Sequence, residues 1–288
     1  EIVGTKIFKH HANVTRSKDV SMSTELADYH IHTSLCNHAN GTMKQFARFA
    51  MAAGLMEIGF ADHSPLPSAF DSHYRMLPEE LTVYQLVIQD LQRFFETLNI
   101  RIGIELDYIS SATGYLHEFV GQHHFDYVIG SVHYLHGNAN GRLCYLNDFR
   151  AAANDNLYYT YFQQVKAAAN SGLFDIIAHF DLPRRFWGLI DKAGFLCAAE
   201  ALETIKSNDL CLEINTSGFR TKCVLEPFPG RTLLHLIREM KIPITLGSDA
   251  HIPGDVGSYF SEAIHLLKEI GFTEICFFKN RRREARPI

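Results

Sequence analysis

The sequence predicts an α/β protein built on a parallel sheet, read as a closed β/α barrel. Short apolar runs alternate with helix-periodic segments from about residue 25 onward, the βαβα order that lays helices over parallel strands. Seven or eight such units fit within the 288 residues, the repeat number and length of a barrel. No stretch rich in Pro, Gly or Ser divides the chain, and no internal repeat is visible. An open doubly wound sheet has the same alternation and is the alternative architecture.

The strand candidates, in order, are Glu25–Thr33, Glu57–His63, Ile100–Tyr108, Asp126–His133, Asp175–Asp181, Cys211–Thr216 and Ile242–His251. Between them lie helical patterns at Thr42–Ala53, Pro78–Leu98, Thr113–Gly121, Leu146–Ser171, Phe195–Ser207 and Phe228–Met240, with a last one at Asp255–Ile270. Gly54, Gly172 and Gly271 mark helix ends, where a residue of positive φ is needed. Glu274–Lys279 reads as an eighth strand, and Arg281, Arg282 and Arg283 as a solvated basic end.

Composition narrows the class. Hydrophobic residues make up 47% and charged residues 20%, an ordinary globular balance. Lys plus Arg is 27 against 32 for Asp plus Glu, a net charge of -5, which disfavours a nucleic-acid partner. No apolar run approaches the roughly 18 residues of a membrane span. The six cysteines show no metal or disulfide spacing and are expected reduced, in a cytoplasmic protein. Residues 1–23 are polar without an apolar segment, and read as an N-terminal extension of unassigned role. Residues 24–288 read as one domain. The unusual count is His, at 16.

Their placement carries the chemistry. The first strand ends in Asp28-Tyr29-His30-Ile31-His32-Thr33, and side chains two apart point the same way, so His30 and His32 share a face. His38 follows in the loop. Later strands end in His63, Glu105, His133 and His179, and the last gives Asp249 and His251, again two apart. One strand-end His is ordinarily a core or capping residue; seven His and two carboxylates at one end of six strands form a metal cluster. Nine donors exceed the three or four that hold one zinc ion. Two or three divalent ions follow, with zinc, iron and manganese all compatible with imidazole and carboxylate. A multinuclear centre with open positions suits displacement at phosphorus.

The ordered set Asp28-x-His30-x-His32-Thr33, Ala61-Asp62-His63-Ser64-Pro65, Gly103-Ile104-Glu105-Leu106-Asp107-Tyr108, Gly130-Ser131-Val132-His133, Ala178-His179-Phe180-Asp181 and Gly247-Ser248-Asp249-Ala250-His251 resembles the PHP (polymerase and histidinol phosphatase) family. Within that family it is most similar to the bacterial histidinol-phosphate phosphatases. The similarity runs in register from about Asp28 to about Phe278. The resemblance implies a distorted seven-stranded, TIM-like barrel, with Glu274–Lys279 outside it. It also implies a trinuclear centre. His30, His32, Glu105 and Asp249 would hold one metal, Glu105 would bridge to a second held by His133 and His179, and His38, His63 and His251 would hold the third.

The expected reaction is hydrolysis of a phosphate monoester through a metal-bridging hydroxide, with Asp249 orienting the water or taking its proton. Phosphate also calls for cationic donors that are not metal ligands. Arg185 follows Asp181-Leu182-Pro183, Arg220 lies past the sixth strand, and Arg75 lies on a loop over the site; each is a candidate phosphate contact. Asp62, Asp181 and Asn215 could meet a substrate ammonium or ring, or instead support a metal ligand. The resemblance alone points to L-histidinol phosphate and histidine biosynthesis. The rival readings are a phosphoesterase for another ester such as a nucleotide, a non-catalytic metal-binding module, and an amide-hydrolysing barrel enzyme.

Overall fold

The computed structural model describes residues 25–136, 142–152 and 157–288. The expected extension at residues 1–23 lies outside the described residues. The chain runs β1 (Ala27–Ile31), α1 (Met43–Ala52), β2 (Glu57–Phe60), α2 (Leu81–Phe94), β3 (Asn99–Asp107), α3 (Thr113–Gln122) and β4 (Tyr127–Ser131). Then follow β5 (Tyr134–His136), β6 (Leu143–Tyr145), α4 (Leu146–Ala152), α5 (Leu157–Ala169), β7 (Ile176–Ile177), α6 (Arg184–Trp187), α7 (Lys192–Ser207) and β8 (Cys211–Asn215). The chain continues with α8 (Ser217–Arg220), α9 (Arg231–Met240), β9 (Ile244–Gly247), α10 (Phe260–Ile270), β10 (Glu274–Lys279) and β11 (Arg282–Pro287). None of the described helices is long and apolar enough to cross a membrane.

Seven strands pair in the order β1-β2-β3-β4-β7-β8-β9, and every pairing is parallel. Each residue of β1, β2, β4, β8 and β9 is buried, the signature of a sheet covered on both faces. The ends meet: Ile31 bridges Ala250 in parallel, the His32 N–H donates to the Ala250 carbonyl at 3.0 Å, and the Ala250 N–H donates to that of His30 at 3.1 Å. The sheet therefore closes where the chemistry-bearing residues of β1 and the loop after β9 lie. The barrel, not the open sheet, is the architecture.

One tyrosine fills the interior. Tyr127 is fully buried and donates its hydroxyl to the Tyr29 carbonyl at 2.7 Å. Its ring occupies the space where Gly59 of β2 and Gly103 of β3 carry no side chain; a Cβ at either would overlap it. Those glycines, one on the adjacent strand and one a strand further on, leave the room that the large Tyr127 side chain takes.

The helices begin and end as local chemistry dictates. Thr42 caps α1 reciprocally: its hydroxyl accepts from the Gln45 N–H and the Gln45 side chain accepts from the Thr42 N–H at 2.8 Å. Gly271, at φ 99, ends α10.

Three expectations are corrected. The helix expected over Leu146–Ser171 is two, α4 and α5, with residues 153–156 outside the described residues. A hairpin of β5 and β6 and the short helices α6 and α8 stand where loops were expected. The basic end is solvated but not a loose tail: Arg282 is exposed, while β11 pairs antiparallel with β10, Arg281 forms an ion pair with Asp175, and Arg283 pairs with Asp209 at 2.7 Å. Asn280 and Arg281 both take positive φ, the two-residue turn that matches strand twist. This hairpin seats under the barrel, where Phe277 and Phe278 meet Tyr29 edge to face, and the Phe278 N–H donates to the Tyr29 hydroxyl at 3.0 Å.

Candidate metal centre

The C-terminal ends of the strands bring all nine expected donors into one cluster. It grades from a buried floor to an open rim. His30, His32, Glu105 and His179 are buried, His63, His133, Asp249 and His251 are half-buried, and His38 is exposed. Glu105 stands at the middle, with its two oxygens facing opposite groups. Oε1 lies 3.2 Å from His179 Nε2 and 3.8 Å from His133 Nε2. Oε2 lies 2.8 Å from His63 Nδ1, 3.5 Å from His30 Nε2 and 3.7 Å from His32 Nε2. Asp249 Oδ1 is 3.2 Å from His32 Nε2 and 4.0 Å from His30 Nε2. Donor atoms of His30, His32 and Asp249 lie within 4.8 Å of one another, as do those of His38, His63 and His251.

The imidazoles are oriented from behind. His30 Nδ1–H donates to Glu213 at 2.6 Å, His133 Nδ1–H to Asp107 at 2.9 Å and His32 Nδ1–H to Asp62 at 3.4 Å. His38 and His251 donate Nδ1–H to the carbonyls of Cys36 and Asp249, at 2.8 and 3.1 Å. Each of these contacts suits a proton on Nδ1 and turns Nε2 toward the cluster, where its lone pair would serve a bound ion. The Nε2 atoms of His38 and His251 then face each other at 2.9 Å. His30 Nε2, His63 Nδ1 and Glu105 Oε2 are buried and lack hydrogen-bond partners. Converging lone pairs without donors between them are what a cation satisfies, so the residues fit a multinuclear divalent-metal centre.

Electrostatics agree. Burial raises the Glu105 carboxyl, but the imidazoles of His63, His30 and His133 overcome it and hold it well below the usual carboxylate range. Burial, aided by the charge of His32, lowers His251 to about 3; burial lowers His63 to about 4 against the pull of Glu105. Both rings are neutral at pH 7, the form a metal needs. Burial works against charge on His30, yet Glu213, Glu105 and Asp249 raise it well above the ordinary imidazole value.

Two donors sit on strained backbone: His179 has φ 21 and Asp249 φ 54. The Asp249 turn is held from outside by Arg220, whose Nη2 donates to the carbonyls of Ser248 at 2.7 Å and Asp249 at 3.2 Å. Its Nη1 donates to the Ser258 hydroxyl at 2.5 Å.

The three arginines therefore separate. Arg220 braces the Asp249 turn. Arg75 is buried and bound to Asp107 at 3.0 Å and the Ser64 carbonyl at 2.9 Å, so it supports the carboxylate behind His133 instead of reaching out from a loop. Arg185 is exposed, and its guanidinium lies 5.7 Å from the Phe186 ring without a hydrogen bond or ion pair to any described residue. Its neighbour Arg184 is the structural one, paired with Asp181 at 2.6 Å and with Glu226. Asp62, Asp181 and Asn215 are likewise committed: Asp62 to His32 and Thr33, Asp181 to Arg184 and the Gly230 N–H, Asn215 to Glu213 at 3.0 Å.

Sequence reasoning missed Glu213. Its Oε1 holds His30, and its Oε2 accepts from the His179 N–H at 2.8 Å, so one carboxylate braces two of the donors. A Cβ on Gly247 would overlap it. The signal was a charged residue flanked by the apolar Leu212 and Ile214, two places before Asn215 and so on its face.

A parallel barrel that gathers imidazoles and carboxylates at the C-terminal ends of its strands is the frame of a barrel metalloenzyme. The PHP domain model matches residues 28–217, and a PHP-associated model matches residues 233–271. The chain belongs to the PHP family. It is 38% identical to a Deinococcus radiodurans protein named probable histidinol-phosphatase, over 92% of this chain and 100% of that one. It is 29% identical to the histidinol-phosphatase of Bacillus subtilis, over 80% of this chain and 95% of that one. Among solved structures, the histidinol phosphate phosphatase of Lactococcus lactis, complexed with zinc, L-histidinol and phosphate, has the same fold. Its TM-score is 0.74 at 23% identity, covering 90% of this chain and 98% of that chain.

Proposed function

We propose that this protein is a metal-dependent phosphomonoesterase that hydrolyses L-histidinol phosphate to L-histidinol and phosphate. The observation that carries the reaction class is the nine-donor cluster, with the exposed Arg185 guanidinium over Phe186, a ring that meets Tyr145 next to His133. Relatives aligned over their full or nearly full length and named histidinol-phosphatase carry the substrate.

His30, His32, Asp249, Glu105, His133, His179, His38, His63 and His251 are assigned as the ligands of two or three divalent ions, with zinc the first candidate. Such ions, when bound, polarise a phosphoryl oxygen and make water nucleophilic at neutral pH. The chain supplies the rest. Glu105, with its oxygens facing separate groups of imidazoles, is positioned to bridge. Asp249, at the half-exposed side of the cluster, orients the attacking water and can take its proton. Arg185 offers a planar fork of donors to the phosphoryl oxygens, charge that strengthens as the transition state forms. Asp107, Asp62 and Glu213 keep the rings fixed so that little reorganisation is needed.

The deciding experiment is phosphate release by the metal-loaded protein from L-histidinol phosphate, a nucleoside monophosphate and p-nitrophenyl phosphate, beside a panel of amides. Preference for L-histidinol phosphate by an order of magnitude in kcat/KM is expected. Preference for a nucleotide would replace the substrate, and amide cleavage alone would replace the reaction class.

A further inference from the structure

We propose that Tyr145, backed by Phe186, forms a shelf at the rim of the centre that receives the leaving alcohol and selects for a flat aromatic one. This rests on the phosphomonoesterase reading above and assigns its leaving-group site.

The shelf is built, not incidental. The hairpin of β5 and β6 has three residues on each strand, too few to be stable alone, and pairs Tyr134 with Tyr145. It is clamped at its base, where the Leu146 N–H donates to the His133 carbonyl at 2.9 Å and the Trp187 indole donates to the Leu146 carbonyl at 3.0 Å. Tyr134 turns inward and is buried, donating its hydroxyl to Asp71. Tyr145 turns to the mouth and is 38% exposed, next to a cluster of charged groups where an apolar ring gains nothing from solvent.

The surroundings of Tyr145 define what it can hold. Its ring lies nearly parallel to the His133 imidazole, 6.3 Å between centroids and 17° between planes. Phe186 meets it edge to face at 5.8 Å. The Arg185 guanidinium packs over that same Phe186. Cation and shelf are thus adjacent: a phosphoryl group held between Arg185 and the donor cluster leaves the ester substituent lying toward Tyr145. The Tyr145 hydroxyl donates to no described residue, so a heteroatom of the bound ring can take that hydrogen bond. A flat heteroaromatic matches both features; a small aliphatic alcohol matches neither.

The test compares the metal-loaded wild type with Tyr145→Ala, Tyr145→Leu and Tyr145→Phe. The readout is the ratio of kcat/KM for aromatic esters (L-histidinol phosphate, p-nitrophenyl phosphate) to that for glycerol 3-phosphate. In Tyr145→Ala the ratio is expected to fall about tenfold, through KM, and in Tyr145→Phe to return most of the way. A ratio within about twofold of wild type in Tyr145→Ala, with metal content intact, overturns the proposal. If Tyr145→Ala does not fold, Tyr145→Leu keeps the apolar bulk without the ring and is judged by the same ratio. If the wild type ignores L-histidinol phosphate, the substrate reading fails, and p-nitrophenyl phosphate against glycerol 3-phosphate still judges the shelf.

Discussion

Glu213 and His30 are joined by a hydrogen bond of 2.6 Å between two fully buried side chains, and the same carboxylate accepts the His179 N–H. One residue that no substrate reaches thereby sets two donors on different strands. Glu213→Gln keeps the volume but cannot serve both donors with an anionic oxygen. Metal affinity, measured by chelator competition and elemental analysis, is expected to fall 10–100-fold (about the effect of losing such a supporting group). Unchanged affinity would reduce Glu213 to a packing residue.

Asp249 carries both a donor oxygen and a left-handed backbone. Asn tolerates that backbone better than most residues, so Asp249→Asn isolates the charge. Turnover should drop by at least about 100-fold, the range of a lost general base, while the fold by circular dichroism is unchanged. Near-normal turnover with full metal content would remove Asp249 from the reaction.

Arg185 and Arg75 should answer differently to truncation. Arg185→Ala is expected to raise KM or lower kcat about tenfold or more with Tm unchanged, because its exposed guanidinium pairs with no acid among the described residues. Arg75→Ala breaks the buried ion pair with Asp107 and leaves that carboxylate to His133 alone, a defect of up to about 3–5 kcal/mol. Equal loss of stability in both variants would contradict the division.

The metal-free protein should be most stable near pH 6.5. His63 and His251 are lowered, to about 4 and about 3, so the unfolded chain binds protons there more readily, and stability is lost as pH falls below about 6.5. His30, His32 and His133 are raised, so their contribution is full below about 6.5 and is lost as pH rises through their folded values. Chemical denaturation of metal-free protein across this range should give a maximum. Loading with zinc at pH 7 should release protons into a weak buffer and flatten the alkaline limb. A monotonic profile would show that the cluster does not govern stability.

Gly59→Ala should destabilise by about 1–3 kcal/mol or more, because the added carbon overlaps Tyr127 and both are enclosed by the sheet. Pairing it with Tyr127→Phe, which removes the hydroxyl nearest Gly59, should recover part of the loss; strict additivity would place the strain elsewhere.

Much of this was legible in the chain because period and chemistry coincide. Fully buried parallel strands read as continuous apolar runs, and the polar residue that ends each run is the one carried to the donor cluster at the C-terminal end of the barrel. His30 and His32 could be placed on one face from their spacing alone. Less local features could not be read. Arg75 and Arg185 look alike in sequence, and only the fold shows that the first meets Asp107 and the second meets no acid among the described residues. Residues 134–136 and 143–145 are too short to carry a strand signal, and Tyr145 becomes notable only once the hairpin turns it toward His133. The basic end misled because its cations meet Asp175 and Asp209, far earlier in the chain.

The rings of Phe277, Phe278, Tyr29 and Tyr127 stop the barrel at its lower end. Among the described residues that end is sealed, so ions and ester would meet the donors from the opposite end, where Tyr145 lies beside His133. A bulky inhibitor lodged there would trap the metals as effectively as it bars the ester, so slow chelation and loss of turnover should track each other.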